Sequence, residues 1–384
     1  MTEKTNIPQG YKDSPLGIIP KEWEVKRLGE ICTHFKSGTT ITAKEITEEG
    51  LYPVYGGNGL RGYSNTYTHN GDYILIGRQG ALCGNINFVC GKSYISEHAI
   101  AVQTDEDMRW LRYKLENWNL NRFSESSAQP GLSVEKLVRY KLTVPTLNEQ
   151  IGIATILQLW DTAIEKQSEL IEKLKLRKRA LMQQLLTGKK RLPGFCGEWK
   201  EVKLGDVFDE RNETNRDDLP LLSITGDKGV IYQSDSDKRD ISNDDKSKYK
   251  RICPNDIGYN TMRMWQGRSA LSELEGIVSP AYTIITPRES INVKFMSMLI
   301  QQPRVVYDFW THSQGLVSDT LNCKYPDFCQ VKVRIPTKQE QTAIASVLVK
   351  ADKEIELAKD KLASLQSQKR GLMQQLLTGK KRVV

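Results

Sequence analysis

The sequence predicts an α/β (α+β) architecture: two globular domains built on mixed short-strand sheets, separated by two long antiparallel coiled-coil helices with pseudo-two-fold symmetry. Three observations carry that expectation. Residues 179–191 read RALMQQLLTGKKR and residues 370–382 read RGLMQQLLTGKKR, the same string but for Ala180 and Gly371, at an offset of 191. Each copy closes a long proline-free stretch with apolar residues in 4-3 spacing, the mark of a narrow helical seam. Ahead of each stretch stands a body of short β-branched and aromatic runs broken by glycine turns.

The duplication sets the order of elements. An N-terminal segment, 1–22, leads to Trp23 and Leu28-Gly29-Glu30, echoed at an offset of 176 by Trp199 and Leu204-Gly205-Asp206. Body 23–145 offers the strand candidates LYPVYGGNGLRGYS, GDYILIGRQGALCGNINFV and HAIAVQ. A helix is expected over 146–188 and a linker over 189–198. Body 199–336 offers LPLLSITGDKGVIY, NDIGYNTMRMWQG and IVSPAYTIITP, then one helical stretch from Val293 to Trp310. The second helix is expected over 337–379, with a basic tail at 380–384. Both bodies close on a Gln-Gly-Leu-Ser-like turn: Gln129, Gly131, Leu132 and Ser133 in the first, Gln314, Gly315, Leu316 and Ser318 in the second.

The seam of the first helix runs through Ile153, Leu157, Trp160, Ile164, Ile171, Leu174, Leu181 and Leu185, with Gln167 and Lys178 at the remaining positions. In the second it runs through Ile344, Leu348, Ala351, Ile355, Ala358, Leu362, Leu365, Lys369, Leu372 and Leu376. A parallel, in-register pair would bring Lys178 and Lys369 together in a poorly solvated place, where like charges are costly. Antiparallel pairing instead sets Lys178 beside Ala351 and Asp352, and Lys369 beside Trp160 and Asp161. Two copies related by a pseudo-two-fold axis make such a contact self-complementary. Gly188 and Gly379 supply the helix stops. At 1.5 Å per residue each helix measures about 55 Å, enough to hold two bodies against two separated marks on one long target, such as DNA half-sites.

Composition narrows the function. The 384 residues carry a net charge of +8, which permits a polyanionic partner. Lys173, Lys175, Arg177, Lys178 and Arg179 crowd one run, which could face phosphates or an acidic partner surface. No apolar run reaches 18 residues and no apolar signal core opens the chain, so a membrane span is not expected and a cytoplasmic location is. The 7 Cys include no C-x2-C pair, so no metal site is assigned. Gly91-Lys92-Ser93 lacks the first P-loop glycine, Gly56-Gly57-Asn58-Gly59 opens no dinucleotide-binding helix, and no nuclease or adenine-methyltransferase motif occurs. No catalytic residue is assigned, and no cofactor in this chain.

Taken together, the duplicated EQ…LMQQLLTGKKR helices, the SPLG-x-IP-x-EW opening (Ser14 to Trp23), the strings YPVYGGNG and ILIGRQGALCGN, and the strings MRMWQG and GIVSPAY resemble the specificity (S) subunit of type I restriction-modification enzymes over nearly the whole chain. The resemblance implies that 23–145 and 199–336 are target recognition domains and that the helices are conserved spacers. It further implies a bipartite, gapped site on double-stranded DNA and docking of two methyltransferase (modification) subunits. Those subunits bind S-adenosylmethionine for N6-adenine methylation, and restriction (translocase/nuclease) subunits join the complex. Arg reads guanine bidentately, and Asn or Gln reads adenine. By position in the matched strings, the DNA-facing set is then Asn58, Arg61, Arg78, Gln79, Ser127 and Gln129 in the first body, with Arg263, Trp265, Gln266, Arg268, Ser313 and Gln314 in the second. Two other readings stay open: an enzyme of unusual motif, and a free-standing architectural or regulatory DNA-binding protein.

Overall fold

The structure, a computed structural model, describes residues 7–80, 82–124, 131–226, 228–236, 245–315 and 321–383. Its contacts divide the chain into two units, Met1–Ser168 with Asp360–Val384, and Glu169–Lys359. Each unit therefore takes one body and part of both long helices, Leu147–Leu185 and Lys338–Leu376, which are 39 residues each. Among the described residues no helix is long and apolar enough to cross a membrane.

In the first unit the strands Cys32–Ser37, Ala99–Thr104, Tyr73–Gly77 and Ile86–Val89 form an antiparallel sheet in that order. Ile74, Ile76, Ile100 and Val102 from its two central strands are wholly buried, against Trp110, Leu111 and Leu115 of the helix Met108–Asn117. Asp107 caps that helix by accepting from the backbone N–H of Arg109 and Trp110 at 2.9 Å. A second four-stranded sheet carries the hairpin Tyr52–Gly56 and Gly59–Ser64 beside Lys92–Ile95. The strand Glu24–Arg27 pairs with Lys141–Val144, so the start of the body is fastened to the residues that lead into the first long helix.

The second unit repeats this plan. Phe208–Glu210, Tyr282–Pro287, Ile257–Asn260 and Ser269–Leu271 form an antiparallel sheet of the same order, and Lys200–Lys203 pairs with Lys332–Ile335 just ahead of the second long helix. The single helical stretch expected from Val293 to Trp310 is two helices, Val293–Leu299 and Pro303–His312. Pro303 has no N–H to give the preceding turn and disfavours a helical Gln302, whose φ and ψ are −69° and 139°.

The long helices pair antiparallel within each unit. In the second unit Lys178 bonds Asp352 and Arg177 bonds Glu354. In the first, Lys369 bonds Asp161 at 2.5 Å, and the Tyr113 hydroxyl donates to the other carboxylate oxygen at 2.6 Å. Ile153, Leu157, Ile171, Ile344, Leu348 and Ile355 are buried, and Ile164, Leu174, Leu181, Leu362, Leu365 and Leu372 are half-buried. Off the seam, Leu159, Leu176 and Leu357 are exposed. Both helices end where Gly188 and Gly379 turn left-handed, at φ 68° and 74°. A Cβ at Gly379 would lie 2.6 Å from Pro20 Cδ, and one at Gly188 would lie 3.2 Å from the Trp199 indole, so the close approach also calls for glycine.

Candidate nucleic-acid interface

In the first unit the sheet register pairs Ala99 with Gly77, which places the next residues outward, His98 and Arg78, opposite each other at the strand ends. The Arg78 N–H donates to the His98 carbonyl at 2.9 Å, and the Arg78 carbonyl accepts from Leu132 N–H at 2.9 Å and from the Cys83 thiol at 3.4 Å. Burial pushes the Cys83 pKa up, which keeps the proton that this bond uses. Gln79 forms a bridge to Gly131, and its Oε1 lies 3.1 Å from His98 Nδ1.

The Gly57-Asn58 turn lies against these strand ends. A Cβ on Gly57 would come within 2.8 Å of the His98 carbonyl and 3.3 Å of Gly77 Cα. One on Gly56 would meet Arg61 Cδ at 2.6 Å, and one on Gly59 would meet Asn87 Oδ1 at 3.5 Å. Asn58, Arg61, Arg78 and Gln79 thus share one patch with His98 and Asn87. Arg78 and His98 are half-buried there, and Asn58, Arg61 and Gln79 are exposed. Ser127 and Gln129 lie outside the described residues.

In the second unit a tight turn follows the equivalent strand, Ile257–Asn260. The Arg263 carbonyl accepts from Gln266 N–H at 3.0 Å and Arg268 N–H at 3.3 Å, while Gly267 at φ 72° reverses the chain. Arg263, Gln266 and Arg268 are exposed, and Trp265 is half-buried with its indole N–H donated to the Met262 carbonyl at 3.0 Å. Arg263 and Arg268 line a cleft of about 550 Å³ with Thr225, Asn260 and Tyr282. The Arg268 guanidinium lies over Gly226, where an added side chain would push it aside.

Ser313 and Gln314 are turned to their own loop. The Ser313 hydroxyl donates to the Phe309 carbonyl at 2.7 Å, and the Gln314 amide donates to Asp327 at 2.9 Å. Among the described residues Arg61, Arg78, Arg263 and Arg268 have no carboxylate within ion-pair distance, whereas Arg251 and Arg288 are matched to Glu275 and Asp209. A guanidinium free of carboxylates keeps its donor fork for phosphate or guanine. The basic run of the first helix is less available: Lys175 bonds Glu172 at 2.6 Å, and Arg177 and Lys178 hold Glu354 and Asp352.

His98 and Asn87 escape the sequence reading, because only strand register carries them to Gln79 and Asn58. Their one signal in the chain is that His98, one of 4 His, directly precedes the AIAVQ strand.

Residues 20–176 and 197–367 each match the profile of a family described as the type I restriction modification DNA specificity domain. The type I restriction enzyme EcoprrI specificity subunit of Escherichia coli is 44% identical over 160 residues, a match that spans 40% of this chain and 40% of that protein. The MjaVIII specificity subunit of Methanocaldococcus jannaschii is 24% identical over 407 residues, covering 95% of this chain and 94% of that protein. The crystal structure of a type I restriction-modification S subunit from M. genitalium matches with a TM-score of 0.58 at 15% identity, over 98% of this chain and 99% of that one, a likeness of fold.

Proposed function

The chain belongs to the type I restriction-modification DNA specificity family, and on that premise we propose that it is the non-catalytic specificity subunit of such a complex, each of its two bodies reading one half of a bipartite, gapped site on double-stranded DNA. The paired helices set the gap and dock two methyltransferase subunits, which bind S-adenosylmethionine and methylate adenine at N6. Restriction subunits join the same complex for cleavage, and the assembly works in the cytoplasm. The observation that carries the reading is that both units share one sheet order while presenting different side chains at equivalent strand ends: Arg78 and Gln79 in one, the Arg263 to Arg268 turn in the other. One scaffold with two independent readers suits a site with two unlike halves.

The test is co-expression of the full chain with its cognate methyltransferase subunit, followed by long-read mapping of N6-methyladenine, with the chain omitted as control. A gapped two-part motif that vanishes without the chain is expected. Exchange of residues 199–336 for those of a relative should then change one half of the motif only. Methylation independent of the chain would discard this reading in favour of a free-standing DNA-binding protein.

A further inference from the structure

We infer that His98 is a positioning residue for Gln79, and that the pair specifies one base, an adenine read from the major groove, within the half-site assigned to the first unit. The inference rests on the proposed function and deepens it.

The geometry begins with register. Because Ala99 opposes Gly77, the loops leaving those two strands start side by side, and Gln79 Oε1 sits 3.1 Å from His98 Nδ1. Gln79 Oε1 can only accept, so His98 Nδ1 is the donor; on the other side Nε2 lies 3.3 Å from Glu97 Oε1, a contact that is an ion pair only when the imidazole is protonated. Gln79 itself is exposed. A glutamine amide turns freely about its last torsion, which is broad and nearly two-fold. A donor fixed to one lone pair of Oε1 removes that freedom, and leaves the second lone pair and both amide protons outward. Adenine offers an acceptor at N7 and a donor at N6, which one amide in a set orientation satisfies together.

The second unit argues against a purely structural role. There Tyr282 opposes Asn260, so Ala281 stands where His98 stands and Met262 where Gln79 stands. The backbone bond survives, with Thr261 N–H donating to the Ala281 carbonyl at 3.2 Å, as Arg78 N–H donates to His98. The fold is therefore built without the side-chain pair, and the pair belongs to what the first unit reads.

The test is the motif methylated by the complex of the full chain with its methyltransferase, mapped by long reads for wild type, Gln79→Ala, His98→Ala and His98→Asn, with thermal unfolding of each. Gln79→Ala and His98→Ala should relax the same single position of one half, lowering discrimination there by about tenfold or more, and leave the other half intact. His98→Asn, which can still donate to Gln79, should keep more of that discrimination than His98→Ala. An unchanged motif in Gln79→Ala overturns the inference, even if His98→Ala fails to fold. So does a folded His98→Ala that relaxes a different position or none. A wild-type chain that directs no two-part motif removes the function on which the inference stands, and the inference with it.

Discussion

Arg382 closes on Glu149 through two parallel bonds, Nε to Oε1 at 2.7 Å and Nη2 to Oε2 at 3.0 Å, across 233 residues of sequence. The second unit makes the same contact between Arg191 and Glu340, at 2.5 and 2.6 Å. The two repeated motifs, EQ at the start of each long helix and TGKKR at the end, are thus two sides of one contact made twice. Gln150 and Gln341 serve alongside, donating to the carbonyls of Pro145 and Pro336 at 2.9 Å.

Glu149 also accepts from the indole N–H of the wholly buried Trp23 at 2.8 Å. Glu149→Ala therefore strips a buried donor of its acceptor, a cost of about 1–3 kcal/mol before the lost ion pair is counted. Urea unfolding should show the loss, and Glu149→Gln, which keeps an acceptor for Trp23, should lose less.

The seam predicts a contrast between neighbours. Leu174 and Leu365 are half-buried, whereas Leu176 and Leu357 are 65% and 59% exposed. Leu174→Asp with Leu365→Asp should destabilise the helix pair by several kcal/mol, since each change removes an apolar side chain worth about 1.5–3 kcal/mol when fully buried and adds a charge. Leu176→Asp with Leu357→Asp should leave helicity and melting by circular dichroism near wild type. Equal effects of the two doubles would refute the seam assignment.

Lys114 gives the first unit a pH dependence. Its ammonium is buried and donates to Thr143 Oγ1 at 2.8 Å and to the Leu377 carbonyl at 2.6 Å, and burial pushes its pKa down to about 7. In the unfolded chain a lysine titrates near 10.4. Below pH 7 both states are charged and the folded state bears the whole burial cost. Above pH 7 the folded state has released a proton that the unfolded state still holds, so stability rises with pH by at most about 1.4 kcal/mol per unit. Urea unfolding at pH 7 and pH 9 should show that rise in wild type and a smaller one in Lys114→Met. Equal slopes would mean that the two acceptors keep Lys114 charged.

In the second unit Arg268→Ala should relax one position of one half of the methylated motif, at a cost of about 1–3 kcal/mol if the guanidinium reads a guanine. Long-read methylation maps distinguish this from a phosphate contact, whose loss weakens binding at every site alike and flattens its salt dependence. Ser313→Ala, which removes a hydroxyl already donated to Phe309, should leave the motif unchanged.

The sequence by itself determined the duplication, the long helices, their antiparallel sense and the placing of Lys178 and Lys369 against Asp352 and Asp161. These follow from local rules: a repeat is visible as a string, a seam as a period, and like charges at seam positions admit one pairing. The family resemblance of its strings also brought Asn58, Arg61, Arg78 and Gln79 onto one list. What only the tertiary structure decided is which of those residues meet, and whom else they meet. Strand order and register join residues far apart in sequence, so His98 reaches Gln79, and Arg382 reaches Glu149, only after the sheets and helices have closed. The same closure commits Ser313, Gln314 and part of the basic run to partners within the chain, because a side chain's free donors are known only once its neighbours are in place.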